Sequence, residues 1–529
     1  MSIIIYNVRR MRKLILSFLL LTATLTVNAQ SNERALAAAI DTIVRTYTEN
    51  DIVDRFVGEI FEKYKSAYLA TRIARSYYNY NEDEETKMRN FHRKDTIQSF
   101  KYIRKAIEID PKYAQAYVLA SDIIDYEKRS EGREEAMAWI NRGIAQNPRD
   151  SALYLASAAM LAFTDEAAAV AKMEELRQQN PGFPVDLELG RMYYKIFDRG
   201  GSQEERTVSC EKAVNYYGKA DLNDMTKADM GSYALCISYA LQDHPELTDK
   251  WYELTTLGVR KFPEDIAMRK FLLYACRSCQ KWEEGIAAAN NYFSMVGGAK
   301  MSPQVIDFVH YCVCLRNVKR YDDALAQYEK AKSLEDCSDY WKKQVESQIN
   351  NTIVEMATNH TKIGEYDKAF AIYDKFIAER KAAGQLDAYL MGMYARTFMD
   401  LAEEQNGAEK NATLQKACDV YDQMAEFFPD RQIFALNSKF LIMTGMDPDS
   451  EQGLAKPYAE KLISLILSQE DWSADLSKLH TAYSYLAYYY FIKSKYKDAI
   501  SYCDKVLELN PGDTRAEKIK EIAKKYARR

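Results

Sequence analysis

The sequence predicts an all-α chain, a solenoid of stacked helix-turn-helix units. Three observations carry this. A triad of small and apolar residues recurs at fixed distances ahead of prolines, and an aromatic–large–small–aromatic segment recurs ahead of the triads. Glycine and proline are scarce, 20 and 11 in 529 residues, too few for the many turns of a sandwich or barrel. Hydrophobic residues make up 47%, and 72 basic side chains stand against 77 acidic ones for a net charge of -5. That is a globular composition with ample core material. The basic residues are spread without blocks, so no electrostatic footprint for nucleic acid is present.

The first element is residues 1–29. Arg9, Arg10, Arg12 and Lys13 lead an apolar run from Leu14 to Leu25, and Val27-Asn28-Ala29 precede Gln30. A charged start, a short apolar centre and small residues at the end are the parts of a secretory signal peptide. An uncleaved anchor is the alternative, but the run is short of the roughly 20 apolar residues that span a bilayer. No cysteine follows the cleavage point, which disfavours a lipoprotein, and a start at Met11 would give a shorter leader. The expectation is export to the periplasm or beyond, with no transmembrane segment in the mature chain. Ahead of the repeats, "ERALAAAIDTIVRTYTEN" and "DIVDRFVGEIFEKYKSAY" read as helices outside the motif, and residues 30–64 are expected to cap the repeating region.

From 65 to 513 the chain repeats itself. Twelve, eight and five residues ahead of Pro511 stand Ala499, Cys503 and Val506. The same offsets give Ser99, Ile103 and Ala106 for Pro111, and Ala136, Ile140 and Gly143 for Pro148. Pro181 has Ala169, Met173 and Leu176, and Pro429 has Ala417, Tyr421 and Met424, whereas Pro263 departs at the first offset with Trp251. Units without the proline keep the body, as in Tyr321-x2-Ala324-x3-Tyr328-x2-Ala331 and Tyr366-x2-Ala369-x3-Tyr373-x2-Phe376. Ahead of these lie Tyr483-x2-Leu486-Ala487-x2-Tyr490, Phe308-x2-Tyr311-Cys312-x2-Leu315, Tyr117-x2-Ala120-Ser121-x2-Ile124 and Phe434-x2-Asn437-Ser438-x2-Leu441. The small residue lets two helices approach closely, the larger ones at spacings of three and four form the interlocking stripe, and proline ends the second helix.

These motifs resemble the tetratricopeptide repeat (TPR) family, an exported bacterial type, over residues 65–513. The resemblance implies a right-handed superhelix whose concave groove and edges bind other polypeptides. The small residue opening each second helix falls at 99, 136, 169, 213, near 250, 285, 324, 369, 417, near 455 and 499, about eleven units. At about 40 residues per unit, against about 34 for the minimal motif, the excess is expected in loops at 81–94, between Tyr194 and Cys210, and at 403–412. Residues 514–529 read as a polar capping helix.

Catalytic chemistry finds no foothold. The five histidines stand beyond helical reach of one another, and no zinc motif, phosphate loop or serine elbow is present. Cys276 and Cys279 have redox or metal spacing, but no second pair completes a zinc site, so they read as packing thiols. The 39 tyrosines fall mostly at packing offsets, ring in the core and hydroxyl toward water. No catalytic, metal or cofactor-binding residue is assigned. The functional expectation is a non-enzymatic scaffold for a protein or peptide partner. The alternatives are an envelope component in secretion, outer-membrane assembly or glycan handling, and an accessory subunit of an enzyme. Partner binding is assigned to a stripe beside the packing positions: Lys270, Tyr274 and Arg277 on one helix, and Val309, Val313 and Arg316 on the next. Two arginines beside apolar surface suit a peptide with an acidic and an apolar side chain. Tyr274 and Val313 stand where the family's carboxylate clamp has asparagine.

Overall fold

The computed structural model describes residues 29–46, 50–78, 80–82, 89–91, 95–296, 302–335 and 337–527. The leader expected over 1–29 lies outside them except for Ala29, as does His92. The described residues divide into two units, up to Met268 and from Arg269 on. In the first, α1 (Ala29–Thr46) and α2 (Asn50–Lys63) precede five helix pairs: α3 (Ala67–Tyr78) with α4 (Thr96–Ile109), α5 (Ala114–Lys128) with α6 (Arg133–Gln146), α7 (Ser151–Leu161) with α8 (Glu166–Gln179), α9 (Val185–Arg199) with α10 (Gln203–Tyr217), and α11 (Lys227–Ala240) with α12 (Thr248–Lys261). Helix α13 (Ile266–Ser278) carries the division between units and pairs with α14 (Trp282–Val296). The second unit continues with α15 (Val305–Asn317) and α16 (Tyr321–Lys332), α17 (Asp339–Thr361) and α18 (Tyr366–Ala382), and α19 (Ala388–Glu403) and α20 (Gly407–Phe427). It ends with α21 (Gln432–Met446) and α22 (Lys456–Leu467), α23 (Leu476–Ile492) and α24 (Tyr496–Leu509), and a last helix, α25 (Thr514–Ala527).

The small residues sit where two backbones must approach. Ser99, Ala136, Ala169, Ala213, Ala324, Ala369, Ala417, Ala455 and Ala499 are all 0% exposed. So are the residues that follow at helical spacing, Ile103, Ile140, Leu176, Tyr328, Tyr373, Cys503 and Val506. The second pairing helix therefore presents a small residue and then larger ones to its partner, and within each unit the stacked pairs bury them. Gly190 shows how close the approach is: a Cβ there would lie 2.7 Å from the Tyr217 ring. Pro263, the exception by sequence, keeps the geometry with sizes exchanged. Trp251 fills the first position at 2% exposure, and Thr255 and Gly258 behind it are buried and small.

Two expectations about spacing are corrected. The extra length sits largely in helices rather than loops: α17 has 23 residues and α20 has 21. Positions 407–412 open α20, where polar side chains face solvent on added turns. Between Tyr194 and Cys210 only Gly200, Gly201 and Ser202 leave the helices, the glycines turning the chain at φ 92° and 133°. The segment 81–94 does hold an insertion, a small antiparallel hairpin of β1 (Tyr80–Glu82) and β2 (Arg89–Phe91). In α21 the packing frame lies two residues later than the motif suggests. Leu436, Lys439, Phe440 and Met443 are buried, while Phe434 is 48% and Leu441 50% exposed. Lys439 hides that frame by standing at an apolar position, its ammonium paired with Asp422 and lying over the Tyr458 ring.

Tyrosine hydroxyls reach carboxylates as well as solvent. Tyr193 donates to Glu166 at 2.8 Å, Tyr366 to Glu404 at 2.8 Å and Tyr154 to Glu175 at 3.2 Å. Burial and the nearby carboxylate push Tyr154 up to about 12.

Candidate functional site

The stripe assigned to partner binding runs along α13 and α15, and much of it ties helix pairs together. Asp307, fully buried in the first turn of α15, accepts hydrogen bonds from Tyr274 of α13, from Tyr292 of α14 at 2.7 Å and from the Gln304 backbone N–H at 2.8 Å. Lys270 donates to the Gln304 side chain at 2.8 Å and lies 3.6 Å from the Asp307 carboxylate. Arg316 of α15 reaches α17, donating to Glu355 at 2.6 Å and to Gln348 at 2.9 Å. Lys270, Tyr274 and Arg316 thus act across helix pairs, and the sequence-based assignment that keeps the stripe clear of interhelical contacts is corrected on this point. Spacing along a helix defines a face, but a long side chain on that face still reaches the neighbouring helix. Val309 and Val313 are half-buried and Arg277 is exposed.

His310 completes this node. Its ring stacks on Tyr274 with centroids 3.9 Å apart, and its Nδ1 is buried without a hydrogen-bond partner. Burial, with Arg277 and Lys270 adding like charge, pushes it down to about 3, so the imidazole is neutral at ordinary pH. His244 lies 3.0 Å from Glu246, His360 2.7 Å from Glu365 and His480 3.1 Å from Asp513. Among the described residues no three histidine, cysteine or acidic side chains gather to hold a metal ion. The nine cysteines all lie in described segments and none forms a disulfide; Cys276 is buried, which pushes its thiol up to about 12. No helix of the described residues is long and apolar enough to cross a membrane.

A cleft of about 480 Å³ opens elsewhere in the second unit, between α19 and α21, the first helices of two successive pairs, with α20 as its floor. Its walls are Tyr389, Met393 and Phe434, and its floor is Tyr421 and Met424. Tyr389 is 51% exposed, and Phe434 meets Tyr421 edge-on with centroids 6.1 Å apart. Gly392 lines the cleft, and a Cβ added there would stand in ordinary contact with the Met424 methyl, 3.5 Å away. Arg396 and Arg431 also line it, paired with Asp400 at 2.7 Å and Asp430 at 3.2 Å. The remaining acid, Asp387, caps α19 by accepting from the Tyr389 and Leu390 N–H groups. Sequence reasoning misses this surface because the motif spacing assigns Phe434 to packing; the exposed pair Phe434 and Leu441, seven residues apart on one helix, is the signal once the frame is right.

No known family profile matches the chain, and no curated protein matches it. Among solved structures, it is similar to the C-terminal part of a TPR repeat-containing protein from Cytophaga hutchinsonii, at 19% identity over 55% of this chain and 98% of that one, with a TM-score of 0.33. It is similar to a tetratricopeptide repeat protein from Parabacteroides merdae at 13% identity, over 49% of this chain and 92% of that one, TM-score 0.24. For yeast Tom70 the values are 11%, 85%, 95% and 0.23. Superpositions this loose carry nothing about activity or partners. The helix pairs themselves, with a small residue buried at each crossing, establish an all-α helical-repeat fold built of TPR-like hairpins.

Proposed function

We propose that the chain is a non-enzymatic scaffold that holds a polypeptide partner. The observation that carries this is the cleft between α19 and α21. Two half-exposed aromatic rings and two methionines surround an apolar space on the face where successive first helices meet. Exposed aromatic surface of this kind, here Tyr389 and Phe434, favours protein contact over a folded chain's ordinary solvated exterior. A scaffold of stacked helix pairs offers extended surface rather than a closed pocket. The basic and apolar pattern of residues 1–29 supports action outside the cytoplasm, in the cell envelope.

The test uses a photoreactive phenylalanine analogue at position 434 or 389, with position 340, where Tyr340 is 65% exposed on α17, as the control. Peptides selected from a random display library against the immobilised protein should crosslink at 434 and 389 and not at 340. Equal crosslinking at all three positions refutes a defined site. Turnover of a small substrate that one point substitution abolishes would refute the scaffold itself.

A further inference from the structure

We infer that Cys210 and Cys236 form a disulfide site: oxidation joins them and locks α10, the second helix of the fourth pair, to α11, the first helix of the fifth. The inference is independent of the scaffold reading and concerns how the first unit is held together.

Geometry carries the pairing. The Cys210 thiol donates to the Cys236 carbonyl oxygen at 3.1 Å, across 26 positions of sequence, so its sulfur lies against the residue it would join. Such a bond alone does not single out a pair, since Cys312 donates in the same way to the Ala324 carbonyl at 3.3 Å. What sets Cys210 apart is that its acceptor belongs to a second cysteine. The two helices are also clamped on either side of this contact. Gln203 donates to the Tyr239 hydroxyl at 2.6 Å toward one end, and Tyr217 and Tyr233 stack with centroids 5.3 Å apart toward the other. Helices fixed on both sides of two thiols hold them at high effective concentration.

The two thiols differ in the way that exchange requires. When ionised, Cys210 accepts a hydrogen bond from the Cys236 thiol, which draws it below the usual thiol range. The same bond, with burial, pushes Cys236 up. Cys210 is therefore the attacking sulfur and Cys236 the resolving one. The oxidant is a small-molecule disulfide such as oxidised glutathione. The Cys210 thiolate attacks one of its sulfurs and expels one glutathione as a thiolate. Cys236 then gives up its proton and displaces the second glutathione thiolate from Cys210. A bond forms between the two Sγ atoms, the oxidant's S–S bond is lost, and the two cysteine protons pass to the two glutathione thiolates. Both cysteines are buried, so the exchange waits for local opening of the junction, and the finished bond is shielded from reductant.

The experiment uses the full reduced chain in glutathione buffers of rising oxidised fraction, with urea below the unfolding midpoint to admit the reagent. Acid stops the exchange, free thiols are alkylated under denaturing conditions, and the peptides are read by mass spectrometry. The expected product is a Cys210–Cys236 linked peptide with the other cysteines alkylated. Cys210→Ala should abolish it, and Cys503→Ala, which removes an equally buried thiol, should leave it intact. Once the urea is removed, amides of α10 and α11 should exchange with deuterium at least about tenfold more slowly in the oxidised chain, with α21 unchanged.

Recovery of both cysteines alkylated from the most oxidising buffer overturns the site. Links spread evenly among the buried cysteines overturn the pairing, because contact then selects nothing. A Cys210–Cys236 link that leaves exchange in α10 and α11 unchanged or faster overturns the lock.

Discussion

Replacing Asp307 by alanine tests whether helix pairs in the second unit are held by a buried polar node or by apolar packing alone. The carboxylate is fully buried and receives three hydrogen bonds, from two tyrosines of α13 and α14 and from the start of α15. Alanine leaves the hydroxyl of Tyr292, itself 0% exposed, without an acceptor, at about 1–3 kcal/mol. It also removes the side chain that caps α15, about 1 kcal/mol, and frees Tyr274, whose half-buried hydroxyl finds water at smaller cost. Release of a desolvated charge offsets part of this. A net loss of about 2–4 kcal/mol is expected, against about 1 kcal/mol for Asp307→Asn, whose amide oxygen still accepts and whose NH₂ can donate to a tyrosine oxygen. Repeat stacks open segment by segment, so one global melting curve does not isolate the effect. Hydrogen exchange read by mass spectrometry does. Amides of α13, α14 and α15 should exchange on the order of 30- to 1,000-fold faster in Asp307→Ala, since about 1.4 kcal/mol is a factor of ten. Unchanged exchange in α15, or an equal change in α21, would refute the node.

Other contacts set further outcomes. Ala324→Leu and Ala499→Leu overpack two fully buried crossings and should cost about 1–3 kcal/mol, while Lys495→Leu on an exposed turn should cost far less; equal effects in urea unfolding would contradict the packing frame. Gly190→Ala should destabilise because the Tyr217 ring is 2.7 Å from the new Cβ, whereas Gly231→Ala, with nothing within 4 Å, should stabilise α11 by up to about 1 kcal/mol, both read by thermal melting. Lys439→Met should be neutral or stabilising in the same assay, since a buried ammonium gives way to apolar volume and Asp422, 62% exposed, is left to water rather than as a buried charge. His310 is neutral when folded and protonates once released. Its contribution is therefore complete above about pH 6.5 and is lost as pH falls toward 3; His310→Phe should move the acid-unfolding midpoint lower, and an unmoved midpoint would show that its burial is not coupled to folding.

Much of the fold is legible because a helix crossing demands one small residue, and that demand repeats visibly at Ser99, Ala136, Ala169, Ala417 and Ala499. Where a large residue takes the position, at Trp251, the pattern fails although the geometry does not. The partner surface is less legible for two physical reasons. Tyr274 and Arg316 lie on an open face by spacing, yet their polar ends bind residues 33 and 39 positions away, a reach that a helical period does not contain. In α21 the motif is satisfied by the wrong four residues, because Lys439 at a buried position obscures the right ones. Spacing alone thereby places the exposed aromatic at 434 in the core.

The exchange of sizes at Trp251, Thr255 and Gly258 bears on how such a chain can be altered or recombined. At this crossing the volume is kept rather than the residue at any one place. A substitution chosen to restore the usual pattern, Trp251→Ala, would set three small residues in a row and empty the crossing, at about 3–5 kcal/mol. Averaging sequences across the units would make that error by design. The hairpins share a plan, but they are not interchangeable modules: a graft that moves the first half of a hairpin without its second half inherits either a void or a clash.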